Sequence, residues 1–470
     1  YALQVPAGTK FKLELSEGMT LNELAFKDKE GRLCTPVPLG GDAAALFDEQ
    51  MLVPERPSQM NGMYFDEIYH GRTAFEMLHG LPVYETTHPP LGKDLILLGV
   101  ALLGMNPLGW RIAGAVFGVA MVPVFYLLCR RLLKKRRWSA FATTLFALDF
   151  MRFTQSRIAT IDVFVVFFIL LATYFMLWSM QTMLRRGSKA ALVPIALSGA
   201  AFGLACASKW TGLYAGAGLA VLYFSALYAR WEILCAASGK EAAKPRFKKD
   251  FWIALCAGAA FFVLVPIALY LLSYLPYFLR KDEFFGLHEL WECQKVMFRY
   301  HSTLTATHPF QSAWYSWPFI GRPVWYYMGT MLPAGTAASI AVLGNPVVWW
   351  GGLCGMVALA LQAVRGRQTA EGSVVLISFA AQLLPWVFVS RAVFLYHYFA
   401  CVPFIVLALT LTLMRLTAHH PVAARRLRIA LPLVAAALFI FFYPVLAGVP
   451  ISQVYAQALR LLPSWGFYIL

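Results

Sequence analysis

Two short stretches carry the residues best suited to chemistry. Tyr64-Phe65-Asp66-Glu67-Ile68-Tyr69-His70 sets adjacent carboxylates among apolar neighbours, and His88-Pro89-Pro90-Leu91-Gly92-Lys93 follows shortly after. A carboxylate in apolar surroundings has its pKa raised and can serve as a general base near neutral pH. Two neighbouring carboxylates can instead share a divalent cation with a substrate phosphate. The plain alternative is a solvated loop pair, against which Met63, Tyr64, Phe65 and Ile68 argue by holding the pair to a membrane face. No Ser/His/Asp arrangement, GxGxxG or P-loop is apparent. The eight cysteines are scattered, with no CxxC and no Cys/His ligand spacing, so neither a zinc site nor a disulfide framework is indicated and no metal ligand is nominated.

The elements that must position these groups are membrane helices. The chain is 59% hydrophobic and 14% charged, with a mean hydropathy of +0.61, whereas a soluble domain is about half apolar and about a quarter charged. The net charge of +16 does not point to nucleic acid, because the basic residues cluster in short runs between apolar segments. An all-α polytopic membrane protein is expected, with roughly ten spans. They lie near 111–129, 138–151, 159–180, 190–207, 212–230, 251–273, 340–363, 372–389, 393–414 and 429–448. Leu95 to Met105 is too short to span and reads as an interfacial helix, with Asp94 at its positive end.

Residues 1–60 read as part of a β-rich outer segment: 11–15 alternates as a strand does, and Lys29-Glu30-Gly31 reads as a turn. Residues 61–110 then form a first outer loop, 111–273 a set of spans, 274–339 a second large outer loop, 340–448 further spans and 449–470 a tail. The chain opens on Tyr1, and one more span is expected upstream.

Charge sets the orientation. Basic runs at 130–137, 185–189, 240–249, 365–367 and 425–428 mark every second loop as cytoplasmic. The opposite, extracytoplasmic face then collects Asp66, Glu67, His88, Lys93, Arg157, Lys209, His301 and Arg391, with Tyr396 and His397 following Arg391. These residues played no part in the charge count, so their convergence argues for one site. Lys93, Arg157, Lys209 and Arg391 suit a lipid phosphate, with His301 and His397 as weaker candidates. Asp162, inside a span, either pairs with Arg157 or contacts substrate.

The motifs Phe65-Asp66-Glu67, His88-Pro89-Pro90-Leu91-Gly92-Lys93, Gln155-Ser156-Arg157, Ser208-Lys209-Trp210-Thr211-Gly212, Gly344-Asn345-Pro346 with Trp349-Trp350, and Phe394-Leu395-Tyr396-His397-Tyr398-Phe399 occur in this order. As a set they resemble the bacterial protein O-mannosyltransferases of the GT-C superfamily. The resemblance implies a multi-pass enzyme of the bacterial plasma membrane. It would transfer mannose, with inversion, from a polyprenyl-phosphate donor to Ser or Thr of an exported protein. It places Asp66 as the catalytic carboxylate with Glu67 beside it, and matches Arg157 to a functionally important Arg. Its partners would be the lipid-linked donor, the protein acceptor and membrane lipid, with no cofactor beyond the cation the carboxylates can share. The loop at 274–339 is too short for the β-trefoil of eukaryotic members. The alternatives are a similar hexose in place of mannose, a GT-C transferase acting on a glycolipid or cell-wall acceptor, and a non-catalytic lipid transporter or flippase. The flippase is disfavoured because no internal repeat is visible and the charges lie at one face.

Overall fold

The computed structural model describes residues 24–28, 32–34, 37, 46–47, 50–54, 57–280, 284–330 and 332–468. The chain forms two units, Tyr1–Gly62 and Met63–Leu470. In the first, β1 (Phe26–Lys27) pairs antiparallel with β2 (Leu33–Cys34), and the Arg32 guanidinium bonds Asp28 at 2.7 Å. The strand expected at 11–15 and the turn at 29–31 lie outside the described residues.

The second unit begins with α1 (Glu67–His79) and α2 (Leu91–Leu103), neither long enough to cross a membrane. α3 (Pro107–Leu133) opens with Pro107 at its first position, and Asn106 accepts the Leu108 and Gly109 amides, a standard N-terminal stop for a helix. There follow α4 (Arg136–Ala147), α5 (Phe150–Ser156), α6 (Asp162–Arg186), α7 (Leu192–Ser208), α8 (Gly212–Ser238) and α9 (Lys240–Ala259). α9 runs through a π-helical turn into α10 (Val265–Leu272). Short α11 (Leu275–Phe278) and amphipathic α12 (Leu287–Thr303) precede β3 (Val324–Met328), β4 (Thr336–Ala337) and β5 (Ser339–Val342). α13 (Pro346–Val364), α14 (Ala370–Leu383), α15 (Val402–His419) and α16 (Pro421–Ala447) complete the bundle; β6 (Ile451–Ser452) and α17 (Gln453–Ala458) follow.

Among the described residues nine helices are long and apolar enough to span a membrane, and the protein is a multi-pass membrane protein. The second expected span, at 138–151, is not one continuous helix: it breaks at Asp149 into α4 and α5. Hydropathy sees only a continuous apolar run here, but the side chains support a break. Asp149 is fully buried and accepts from the Arg152 amide at 3.2 Å, the Asn345 amide at 3.2 Å and Trp349 Nε1 at 2.9 Å. The Arg152 guanidinium takes the carbonyls of Phe146, Ala147 and Gly118. Asn345 caps α13 by accepting the Val347 amide, and its own amide donates to Leu148 and Ala435 carbonyls. Backbone freed at membrane depth must be satisfied by protein, and these residues do that. The Gly344-Asn345-Pro346 and Trp349 motif is therefore architectural.

α6 packs against α3, α7 and α8, and α15 against α13, α14 and α16. The α13–α15 crossing is close because a Cβ at Gly355 would collide with the Leu409 backbone, and one at Gly352 would fall 2.7 Å from Ile405 Cβ. At one end of the bundle β3 pairs antiparallel with β5, and β4 with β6. Trp465 is buried there and donates to the Ile320 carbonyl at 2.8 Å.

Candidate active site

The site is built on the loops at one end of the helices. Phe65 has φ +52°, a left-handed conformation that costs a non-glycine residue on the order of 1 kcal/mol. Packing holds it there: its ring stacks on Tyr326 of β3, centroids 4.0 Å apart, and meets Tyr396 edge-on at 6.0 Å. Tyr326 is in turn fixed by Gln155, whose amide donates to its hydroxyl at 3.0 Å.

The turn at Phe65 delivers Asp66 to the N-cap of α1, yet its carboxylate does not cap the helix. No described residue hydrogen-bonds to it. Burial pushes its pKa up to about 7; Lys209 opposes the shift, and Asp162 and Glu85 add to it. A half-buried carboxylate, open and titrating near neutrality, is the arrangement a general base requires.

Glu67 is placed differently. It is fully buried and accepts four donors: Arg111 Nε and Nη2, each at 2.7 Å, the Ala159 amide at 3.0 Å and the Tyr64 amide at 3.2 Å. It ties α1 to α3 and to the turn before α6. These four donors occupy the Glu67 carboxylate, and no group of three or more His, Cys, Asp or Glu able to hold a metal ion occurs among the described residues.

The cations fall into two kinds. Lys209, in the break between α7 and α8, bonds Asp162 at 2.8 and 3.1 Å and lies 5.9 Å from the Tyr396 ring centre. The Arg157–Asp162 pair expected from sequence does not form. Asp162 opens α6, which packs on α7, whereas Arg157 turns to the Leu446 carbonyl at 3.1 Å and lies over the Phe153 ring. Arg157 and Arg391 form no ion pair among the described residues; Arg391 donates a hydrogen bond to the Ala392 carbonyl, at 3.4 Å. Both retain donors for an anion. A narrow cleft beside Asp162 is lined by Thr211, Tyr214, Gln382, Tyr396 and His397.

His88 and Lys93 sit next to this group. Lys93 is wholly buried and bonds Glu85 Oε2 at 2.6 Å, and Glu85 faces His88 Nδ1 at 3.3 Å. His301 of α12 donates from Nε2 to the Thr87 carbonyl at 2.9 Å, and burial pushes its pKa down to about 3. Gly92 is required by space: a Cβ there would lie 2.6 Å from Ile161. His397 stacks against Trp317, Trp386 and Tyr396, and its Nδ1 engages the backbone of Phe394. Glu85, Arg111 and Asp149 escape sequence reading. A Glu among threonines looks solvated, an Arg at a span edge looks like an anchor, and an Asp in a short apolar run carries no spacing signal.

Residues 104–280 match the family model described as dolichyl-phosphate-mannose-protein mannosyltransferase. Residues 286–465 match the C-terminal four-transmembrane region of protein O-mannosyltransferase. The polyprenol-phosphate-mannose–protein mannosyltransferase of Mycobacterium tuberculosis is 29% identical over 85% of this chain and 86% of its own length. That of Corynebacterium glutamicum is 26% identical over 98% and 96%. Among solved structures, the Saccharomyces cerevisiae Pmt1–Pmt2 complex bound to the sugar donor superposes with a TM-score of 0.74 at 16% identity, over 87% of this chain and 90% of that one. ArnT from Cupriavidus metallidurans bound to undecaprenyl phosphate gives 0.50 at 16% identity, over 85% and 69%. The fold is that of a GT-C membrane glycosyltransferase. Within that class, the chain belongs to the protein O-mannosyltransferase family.

Proposed function

We propose that this protein transfers mannose from a polyprenyl-phosphate-linked donor to a Ser or Thr hydroxyl of an exported protein, with inversion. We place the site on the extracytoplasmic face of the bacterial plasma membrane. The observation that carries this reading is Asp66: an open carboxylate with its pKa raised to about 7 beside a cationic pocket.

Asp66 takes the proton of the acceptor hydroxyl as its oxygen attacks the anomeric carbon. The bond from that carbon to the phosphate oxygen breaks, and the electron pair leaves with polyprenyl phosphate. Arg157 and Arg391, which have no carboxylate partner among the described residues, balance the charge gathering on the leaving phosphate. Fixed cations aimed at developing charge need no reorganisation during the reaction. Lys209, held by Asp162, sets the field at Asp66. Glu67 and Arg111 hold the α1 end rigid. The face rests on the alternation of basic loops, with α4 and α5 together counted as one crossing, which leaves the acidic loop opposite them.

The test is transfer by the purified protein in lipid nanodiscs. Polyprenyl-phosphate mannose is supplied with a Ser/Thr peptide in one reaction and a glycolipid in another. Mass spectrometry should show a hexose on the peptide only. Transfer to the glycolipid alone would replace the protein acceptor with a lipid one, and no transfer to either would overturn the reading.

A further inference from the structure

Buried Glu85 and Lys93 and partly buried His88 form a unit that the reaction above does not use. A lysine ammonium has three hydrogens. Those of Lys93 face Glu85 Oε2 at 2.6 Å, the Glu85 carbonyl at 2.9 Å and the His88 carbonyl at 3.0 Å. None remains for a phosphate. Lys93 thus clamps the 85–88 loop onto α2, and His301 clamps it from α12 through the Thr87 carbonyl.

The clamp decides the state of His88. Its Nδ1 lies 3.3 Å from Glu85 Oε1 and 3.1 Å from Thr87 Oγ1. The carboxylate can only accept, and the Thr87 hydroxyl itself donates to Glu85, so Nδ1 carries the hydrogen. Burial holds the His88 pKa below its ordinary value, against the pull of Glu85, and the ring is neutral at pH 7. The hydrogen bond at one ring nitrogen fixes the role of the other. Nε2 is left as an acceptor, and no described residue donates to it. An acceptor lone pair repels phosphate oxygens and attracts a hydroxyl. The ring lies 5.2 Å from His301, which neighbours Trp210, and Glu85 is within electrostatic reach of Asp66.

We propose that His88 Nε2 accepts a hydrogen bond from one hydroxyl of the transferred sugar, and that Glu85 and Lys93 are positioning residues that hold it in that tautomer. The inference rests on the sugar-phosphate donor reading above. It makes His88 a reader of the sugar and removes Lys93 from phosphate binding.

The test is a cycle between protein and substrate. Wild type and His88→Phe are assayed with polyprenyl-phosphate mannose and with donors lacking each sugar hydroxyl in turn. Wild type should lose about 10–100-fold in kcat/KM with one deoxy donor, the order expected for an unpaired polar group. His88→Phe should lose a similar factor with mannose and nothing further with that same deoxy donor. The Glu85→Gln/Lys93→Met double variant, which removes both charges together, should show the same donor preference as His88→Phe while binding sugar-free polyprenyl phosphate as wild type does. Losses that multiply for every deoxy donor would overturn the His88 assignment. Weakened binding of polyprenyl phosphate by a double variant with an unchanged melting temperature would overturn the Lys93 assignment. If wild type moves no mannose at all, the donor reading itself falls, an outcome distinct from both.

Discussion

Asp66 and Glu67 are adjacent in sequence and opposite in circumstance, and their variants should separate cleanly. Asp66→Asn should lower transfer by about 10²–10⁴-fold, the usual contribution of a general base, measured as kcat with saturating donor. Wild-type kcat should rise with pH through about 7 as Asp66 loses its proton. Stability moves the other way. Between an unfolded value near 3.8 and a folded value near 7, the native state binds the extra proton, so this group reduces stability as pH rises across that window. Asp66→Asn should therefore melt no lower than wild type at pH 8. Glu67→Gln breaks the buried pair with Arg111, at a cost of about 3–5 kcal/mol, read as a lowered melting temperature in detergent. The apolar flanks of Asp66 made it legible in the sequence. The division of labour with Glu67 was not, because it depends on Arg111 and Ala159, which only the fold brings near.

At the scale of elements, the break between α4 and α5 is the feature that hydropathy misses. A period or an apolar run reports how a segment meets lipid, whereas Asp149, Arg152 and Asn345 report how three segments meet one another. Asn345→Ala should cost about 1–3 kcal/mol by leaving the Leu148 and Ala435 carbonyls without their donor. Donor KM should stay unchanged, since Asn345 belongs to the Asp149 knot rather than to the cationic pocket; a raised KM with an unchanged melting temperature would count against the architectural role. The α13–α15 crossing makes a similar case. Gly355→Val should destabilise the bundle because the Leu409 backbone has no room to move away. The glycine was visible in the sequence, but the helix it faces was not.

For the whole molecule, the nine long apolar helices among the described residues and their order are close to what the apolar runs imply, since the bilayer imposes length directly on the sequence. The long helix through α9 and α10 is the main departure. It starts at Lys240, ahead of its apolar run, because charged residues with good helix propensity extend it beyond the membrane. Sidedness can be tested with impermeant thiol reagents in a variant whose eight cysteines are replaced. Ser302→Cys, on α12, should label in intact cells, and Ser238→Cys should label only after permeabilisation. The reverse pattern would put the site on the cytoplasmic side.

The stacked pair of Phe65 and Tyr326 has a consequence for how the enzyme is made. Tyr326 lies on β3 beside Trp325, whose indole donates to the Gly466 carbonyl, and Trp465 is anchored to Ile320. The Asp66 loop, among the first parts of this unit to leave the ribosome, is therefore backed by β3, which is itself anchored by some of the last. Until that late segment docks, β3 lacks one of its anchors, and the support behind the left-handed turn at Phe65 is incomplete. A nascent chain inserted in the membrane would carry all its long apolar helices before the last of the contacts behind Asp66 had formed.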